Sequence, residues 1–547
     1  MARTGADLVI ETLVARGVKH LFSLSGNHIL PLYDATIGRD ISIVHTRHEA
    51  AAVHMADAWG RLTDEPGVAL VTAGPGHCNA LSALYGALMS ESPLVLLSGH
   101  ASRSQIGSGG FQEMDQVGAA RPVTKASWLA EDPERLGDDI DRALAIARSG
   151  SPGPVHVSLP GDVLEASITR SADPSAGASA NVAGHRGAEE SEASETLPAH
   201  IVNDVVARLA SAARPLIIAG PAMSRGARWS SVAALAETTE IPALPAESPR
   251  GVNDPWLHGA SACLAEADLV LLLGKRLDFS LKFGNAPAFA AACRFVRIAN
   301  EPMASARVDL SVTADPATAV SDLLHAARER HWDRSAWWKQ VNDARAATPP
   351  AWDEWRRSSR APMHPLRVCA ALQPYLDAGA VLVSDGGEFG QWAQAGLEAR
   401  ERLVNGPAGS IGSAIPMAIA AKLARPDRHV FATLGDGTFG FHGFELDTAL
   451  RSGLPIVAVI GNDARWNAEH QLQIQQYGAA RAVGCELLPS RYDRVAEALG
   501  GHGEFVERPE QLAPALERAI ASGRPACVNV IIDGVAAPTF PITRATR

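Results

Sequence analysis

The sequence of 547 residues is poor in cysteine, with six in all. Cys78, Cys263, Cys293, Cys369, Cys485 and Cys527 are scattered and form no CxxC pair. This excludes a disulfide framework or a cysteine-rich zinc site as the organising element. Basic residues are outnumbered too: 49 Lys and Arg against 60 Asp and Glu give a net charge of −11. Nucleic-acid surfaces carry a basic footprint, because phosphate neutralisation supplies most of their affinity. No basic run offsets the deficit here. No apolar stretch approaches the roughly 18 residues of a membrane span. The opening MARTGADLVIETLVARG also lacks the apolar core of a signal peptide. Neither nucleic acid nor membrane is expected as a partner, and a cytoplasmic location is.

What is present is an ordinary globular composition, 46% hydrophobic and 20% charged, in a chain long enough for several cores. One local pattern recurs: a short apolar run, a Gly-rich turn, then an amphipathic stretch. It appears in LFSLSG (21–26), GVALVTAGPG (67–76), ADLVLLLG (267–274), VLVSDGG (381–387), HVFATLGDG (429–437) and PIVAVIGND (455–463). Short strands alternating with helical periods predict an α/β fold of parallel sheets covered by helices on both faces. Ligands in such folds sit beyond the carboxyl ends of the strands, where these glycine turns fall. The Ser/Ala/Gly/Glu-rich stretch 171–197 reads as a linker, and the tryptophan-rich stretch 331–363 as a connecting segment. The expected organisation is three α/β domains over 1–170, 198–330 and 364–547, with no short internal repeat.

The most informative segment is LGDGTFGFHGFELDTALRSGLPIVAVIGNDARWN, residues 434–467. Gly435, Gly437 and Gly440 match the dinucleotide fingerprint GxGxxG, which alone is a weak signal. Asp436 inside the loop would repel a pyrophosphate, and Asp463 follows Asn462 in a polar turn rather than closing a strand. A divalent cation resolves both difficulties. If Asp436 and Asp463 close on Mg²⁺, the ion bridges carboxylates to phosphate oxygens. Gly437 would then let the backbone approach the phosphates, with a helix begun near Phe444 aimed at them. The plain alternative is an ordinary strand–turn–helix.

Residues 435–463 resemble the GDG…NN signature of thiamine diphosphate (ThDP) enzymes, and the 27 residues from Asp436 to Asp463 fit that family's spacing. The chain departs from it in carrying Asn462-Asp463 where the family has Asn-Asn. The resemblance implies Mg²⁺ held by Asp436, Asp463 and the Arg465 carbonyl, with Gly435, Gly437, Thr438 and Asn462 at the cofactor. GSIGSAIPMAIAAKLA (409–424) resembles the family segment in which the Gly409 carbonyl accepts from the pyrimidine amine. There Ile411 bends the cofactor, although read alone it is a core residue. HTRHEAAAVHMADAWGRLT (45–63) resembles the RHExxA segment whose glutamate, here Glu49, bonds the pyrimidine N1′. By itself Glu49 is also a plain helix-first-turn carboxylate. GVALVTAGPGHCNAL (67–81) resembles the family's GPG turn at Gly74.

The resemblance spans the chain and implies three parallel-sheet α/β domains: pyrimidine-binding, central and diphosphate-binding. It implies a homodimer at minimum and commonly a homotetramer, with chemistry through a C2 carbanion and an enamine. FAD is known in some members, and no motif here calls for it. Gly26-Asn27-His28 resembles the Gly-x-His of benzaldehyde lyase, making His28 a candidate for proton transfer against a plain surface role. GGFQEMDQVGAARPVTKASW (109–128) resembles a loop of acetolactate synthases, benzaldehyde lyase and the 2-hydroxyacyl-CoA lyase group. That likeness makes Gln112 a substrate-orienting amide or a loop-stabilising one. The expected activity is a C–C bond lyase or carboligase acting on 2-oxo acids or acyloins. The alternatives are a 2-hydroxyacyl-CoA lyase, an oxalyl-CoA decarboxylase-like enzyme or an acetolactate synthase. From other classes, a nucleotide-binding oxidoreductase or an inert ThDP-binding paralogue stays open.

Overall fold

A computed structural model describes residues 3–168 and 196–540. The chain divides into two compact units, Met1–Glu195 and Thr196–Arg547. The linker expected at 171–197 lies outside the described residues except for its last two positions.

The first unit is one six-stranded sheet. Its strands are β1 (His20–Ser23), β2 (Ser42–His45), β3 (Gly67–Val71), β4 (Leu94–His100), β5 (Ala126–Leu129) and β6 (Pro154–Pro160). They are ordered β2-β1-β3-β4-β6-β5, and every pairing is parallel. The apolar runs of β3, β4 and β6 are buried along their whole length, as two-sided helix cover requires.

The second unit holds two parallel sheets. The five-stranded one comprises β7 (Pro215–Ala219), β8 (Ala243–Pro245), β9 (Leu269–Leu273), β10 (Arg294–Ala299) and β11 (Leu310–Thr313), in the order β11-β10-β9-β7-β8. Separate apolar clusters include Val296 and Leu271 in one and Leu272 and Phe295 in the other. Successive strand side chains point to opposite faces, so the sheet is covered on both. The six-stranded sheet comprises β12 (Val381–Ser384), β13 (Arg402–Val404), β14 (Val430–Gly435), β15 (Val457–Asn462), β16 (His502–Val506) and β17 (Ala526–Ile531). Its order, β13-β12-β14-β15-β17-β16, repeats that of the first unit. The sequence carries no short repeat, yet the winding is used twice.

Both six-stranded sheets reverse their winding direction between the first and third of their strands. A crevice opens there at the carboxyl edge. The turns after β1 and β3 hold Gly26–His28 and Gly74, and those after β12 and β14 hold Gly386 and Gly435–Thr438. Two helices, Ser335–Ala346 and Ala351–Arg357, occupy the expected connecting segment. No helix among the described residues is long and apolar enough to cross a membrane.

Candidate active site

In the second unit the turns at the carboxyl ends of β12–β15 enclose a cavity of about 220 Å³. Its walls include Gly386, Glu388, Asn405, Gly409, Ile411, Gly435–Thr438, Gly461, Asp463, Arg465, Trp466 and Asn467. Neighbouring strands bring its two aspartates together. Gly435 pairs with Gly461 across β14 and β15, so Asp436 and Asp463 leave the same sheet edge one and two residues later. Burial raises the pKa of Asp436 to about 6, against the pull of backbone N–H groups of Gly437, Asp436, Arg465 and Ala464. Burial and then the Asp436 charge raise Asp463 to about 7, with the Asn467 amide and Arg465 opposing. Two carboxylates that resist ionising side by side call for a cation. Asp436 Oδ2 is buried and has no hydrogen-bond partner among the described residues, an arrangement folded proteins rarely leave unanswered. Hard oxygen donors with one free position suit Mg²⁺.

The backbone around this pair is tightly fixed. A Cβ on Gly437 would stand 2.8 Å from the Trp466 ring, so only glycine lets that ring close over the turn. Arg465 forms an isolated bridge with Glu486, and the Trp466 N–H donates to the Cys485 carbonyl at 2.8 Å. Thr438 Oγ1 donates to the Gly435 carbonyl at 2.9 Å, closing the turn on itself. Gly409 adopts φ +67° in the opposite wall. Asp385 anchors the chain beyond it, accepting from the N–H groups of Gly412 at 3.0 Å and Ala414 at 3.2 Å.

A helix begins beside Phe444 as expected, Glu445–Arg451, but an unexpected one, Asp436–His442, precedes it and is the one that opens at the turn. One expectation is corrected here. Asn462 does not face the cavity. Its Nδ2 donates to the Ser490 carbonyl at 3.0 Å and to Asn529 Oδ1 at 3.1 Å, and its Oδ1 accepts from the Ala464 N–H. Alternation along a strand explains this, because a neighbour of the cavity-facing Asp463 must point the other way. Sequence reading missed Asp385 and Glu388, whereas Trp466 and Asn467, expected from their place after Asp463 to line the cavity, do so. Asp385 was visible as the polar end of the apolar run VLVSD, whereas nothing local marks Glu388. Burial raises the Glu388 pKa, and its Oε1 accepts from the Ala537 N–H at 2.5 Å.

The first unit gathers its own set. Glu49 opens the helix Glu49–Thr63, is 8% exposed, and accepts from Asn79 Nδ2 at 3.0 Å. A Cβ on Gly76 would lie 2.7 Å from Thr72 Cγ2 and 3.3 Å from Glu49 Oε1, so glycine keeps that oxygen uncovered. His28 Nδ1 is 3.3 Å from Thr72 Oγ1. Burial lowers the His28 pKa, with the Phe111 backbone opposing and His100 assisting, so the ring is neutral near pH 7. It stacks on Phe111 at 5.8 Å. Gln112 takes φ +58°, a left-handed conformation costly for a residue with a side chain. Its backbone packs so closely on Gly74 that a Cβ there would sit 2.8 Å from the Gln112 carbonyl oxygen. Gly74, at φ +56°, needs both the close approach and the conformation. Gln116, unlike Gln112, is fully engaged, bonding the Gly74 N–H, the Gly99 carbonyl and Ser158 Oγ.

A carboxylate pair stands beyond one parallel sheet, and a buried glutamate beyond another of the same winding. Three family descriptions match along the chain. They are the thiamine pyrophosphate enzyme N-terminal TPP binding domain over residues 3–119, the central domain over 202–323 and the C-terminal TPP binding domain over 385–530. The chain belongs to the thiamine pyrophosphate enzymes and depends on thiamine diphosphate. Among its curated relatives is a probable acetolactate synthase of Mycobacterium bovis, 35% identical over 96% of this chain and 95% of the relative. A 2-hydroxyacyl-CoA lyase 2 of Bos taurus is 32% identical over 97% and 90%. A 2-hydroxyacyl-CoA lyase of Arabidopsis thaliana is 28% identical over 97% and 95%.

Proposed function

We propose that this enzyme makes or breaks a C–C bond beside a carbonyl in 2-oxo acids or acyloins, using thiamine diphosphate and Mg²⁺. The observation that carries the metal site is the Asp436–Asp463 pair with its unpartnered Asp436 Oδ2. Asp436, Asp463 and the Arg465 carbonyl hold the cation, and Gly437 and Thr438 border the diphosphate. The Gly409 carbonyl and Ile411 receive the pyrimidine. Once bound, the cofactor supplies a carbon nucleophile and a sink for the electrons released when the donor bond breaks.

The protein chooses and positions the partners. Glu49 offers a carboxylate oxygen to pyrimidine N1′, held in place by Asn79. His28 presents a neutral ring whose Nδ1 faces Thr72, leaving Nε2 to take a proton from a donor hydroxyl and return it. Gln112 orients a donor hydroxyl or carboxylate with an amide that does not compete for protons. The assembly is a homodimer at minimum, with a homotetramer expected, in the cytoplasm; light scattering on the purified chain tests its size.

The relatives named acetolactate synthase support the 2-oxo-acid arm of this reading. Those named 2-hydroxyacyl-CoA lyase support a second reading, cleavage of a 2-hydroxyacyl-CoA or an oxalyl-CoA-like ester. One experiment separates them. The chain loaded with thiamine diphosphate and Mg²⁺ is offered pyruvate, benzoylformate, acetoin, benzoin, oxalyl-CoA and a 2-hydroxyacyl-CoA, and products are read by mass spectrometry. Turnover of a free 2-oxo acid or acyloin supports the first reading, and CO₂ release distinguishes decarboxylation from cleavage. Turnover of the thioesters alone supports the second, and no product from any donor rejects both.

A further inference from the structure

A second cavity in the same unit, of about 380 Å³, lies on the far side of the helix Gly387–Gly396 from the carboxylate site. Glu388 and Gln391 of that helix face one cavity, and Trp392 faces the other. The volume falls within the usual range for small-molecule pockets, about 300–1,000 Å³. Its walls are aromatic. Trp355 stacks on His364 at 4.4 Å with an interplanar angle of 23°, and Trp392 stands edge-on to both rings at 6.2 and 4.8 Å. Trp352 meets Trp392 at 5.8 Å. Burial lowers the His364 pKa to about 4, so this wall carries no charge near neutral pH.

The polar groups stand together at the rim. The Arg360 guanidinium lies 3.8 Å from Asp533, beyond hydrogen-bond reach, and is 77% exposed. Ser358 Oγ accepts from the Arg360 N–H at 3.2 Å, which leaves the hydroxyl proton free to donate. Trp392 Nε1 already donates to the Val535 carbonyl, so the inner wall is apolar as well as flat. A cavity walled by tryptophans favours an aromatic ring, which can pack edge-to-face or offset against them, and a guanidinium beside a hydroxyl favours an anion attached to it.

We propose that this cavity binds a small planar aromatic carboxylate, its ring against the wall formed by Trp352, Trp355 and Trp392 and its carboxylate on Arg360 and Ser358. The site stands apart from the cofactor reading and survives if that reading fails. Isothermal titration calorimetry tests it on the full chain saturated with thiamine diphosphate and Mg²⁺. The probe is 2-naphthoate, compared with 2-naphthamide and the non-planar cyclohexanecarboxylate. Naphthoate is expected to bind saturably and cyclohexanecarboxylate not to. Arg360→Gln is expected to weaken naphthoate by about tenfold while sparing naphthamide, and Trp355→Leu to weaken both by a similar factor. Should Trp355→Leu unfold the chain, Val535→Trp, which adds a bulky side chain to the cavity lining, replaces it with loss of binding expected. The absence of saturable heat up to about 10 mM naphthoate, a weak-binding limit near −3 kcal/mol, overturns the site. Binding unchanged by Arg360→Gln and by the wall variant overturns it equally.

Discussion

Asp463 and Asn462 are adjacent in sequence and opposite in role. Replacing Asp463 by Ala removes one of the two carboxylates at the cavity, and the Mg²⁺ concentration for half-maximal activity is expected to rise at least about tenfold. A metal titration of activity checks this. Asn462→Ala is expected to do the reverse, leaving the metal requirement alone while costing about 1–3 kcal/mol, because Ser490 and Asn529 lose a buried partner. Urea unfolding measures that loss. Glu49→Gln keeps the Asn79 contact and the shape while removing the charge. Turnover is expected to fall by two or more orders of magnitude, roughly the scale of a lost acid–base group, with thiamine diphosphate still bound. Near-normal turnover would reject the role given to Glu49.

At the scale of elements, the glycine turns were legible because each breaks an apolar run and no other residue fits them. Gly437 against Trp466 and Gly74 against Gln112 are such cases, since contact with a distant segment explains a glycine already visible locally. The Asp436–Asp463 pairing was legible for the same reason: each aspartate follows an apolar strand run. The helix Asp436–His442 was not. Asp436 and the glycines around it are poor helix formers, so only the helix beginning beside Phe444 could be read. Contacts with Gly412 and Trp466 override that local weakness, since His442 Nδ1 lies 2.8 Å from the Gly412 carbonyl oxygen. Gly437→Ala is expected to push Trp466 out of the turn and weaken cofactor affinity, with the fold retained. Equilibrium dialysis with thiamine diphosphate and circular dichroism test the two halves of that statement. Asn462 could not be oriented from sequence, because its direction depends on register with β17, which no local pattern reveals.

Across the whole molecule, the family and the three parallel sheets were readable from motifs, while the repeated winding was not. Strand order is a matter of crossovers, and two sheets share it here without sharing residues. Buried chemistry outside the site was equally hidden. His77 and His156 lie 4.6 Å apart inside the first unit, both with burial as the main cause of a lowered pKa, about 4 for His77. Both are neutral in the folded chain and take up a proton on unfolding below the ordinary imidazole pKa. Their contribution is complete above about pH 6.5 and falls with pH below it, for His77 being lost as the pH approaches 4. For His77 the loss amounts to roughly 2 kcal/mol by pH 5. Denaturant unfolding at pH 7 and pH 5 is expected to show it, and His77→Gln is expected to flatten the slope.

The cation site also has a place in time. Asp436 and Asp463 are 27 residues apart along the chain and meet only because β14 and β15 pair through a complete crossover. An unfolded or half-wound chain offers the ion single carboxylates and no grip. On the proposed Mg²⁺ site, the ion is expected to bind only after the parallel pair has closed and not to act as its nucleus. Refolding of this unit is expected to run at the same rate with or without the metal, while unfolding slows as the metal is added. An ion at the proposed site is expected to latch a finished fold, with stopped-flow traces at several Mg²⁺ concentrations changing on the unfolding limb alone.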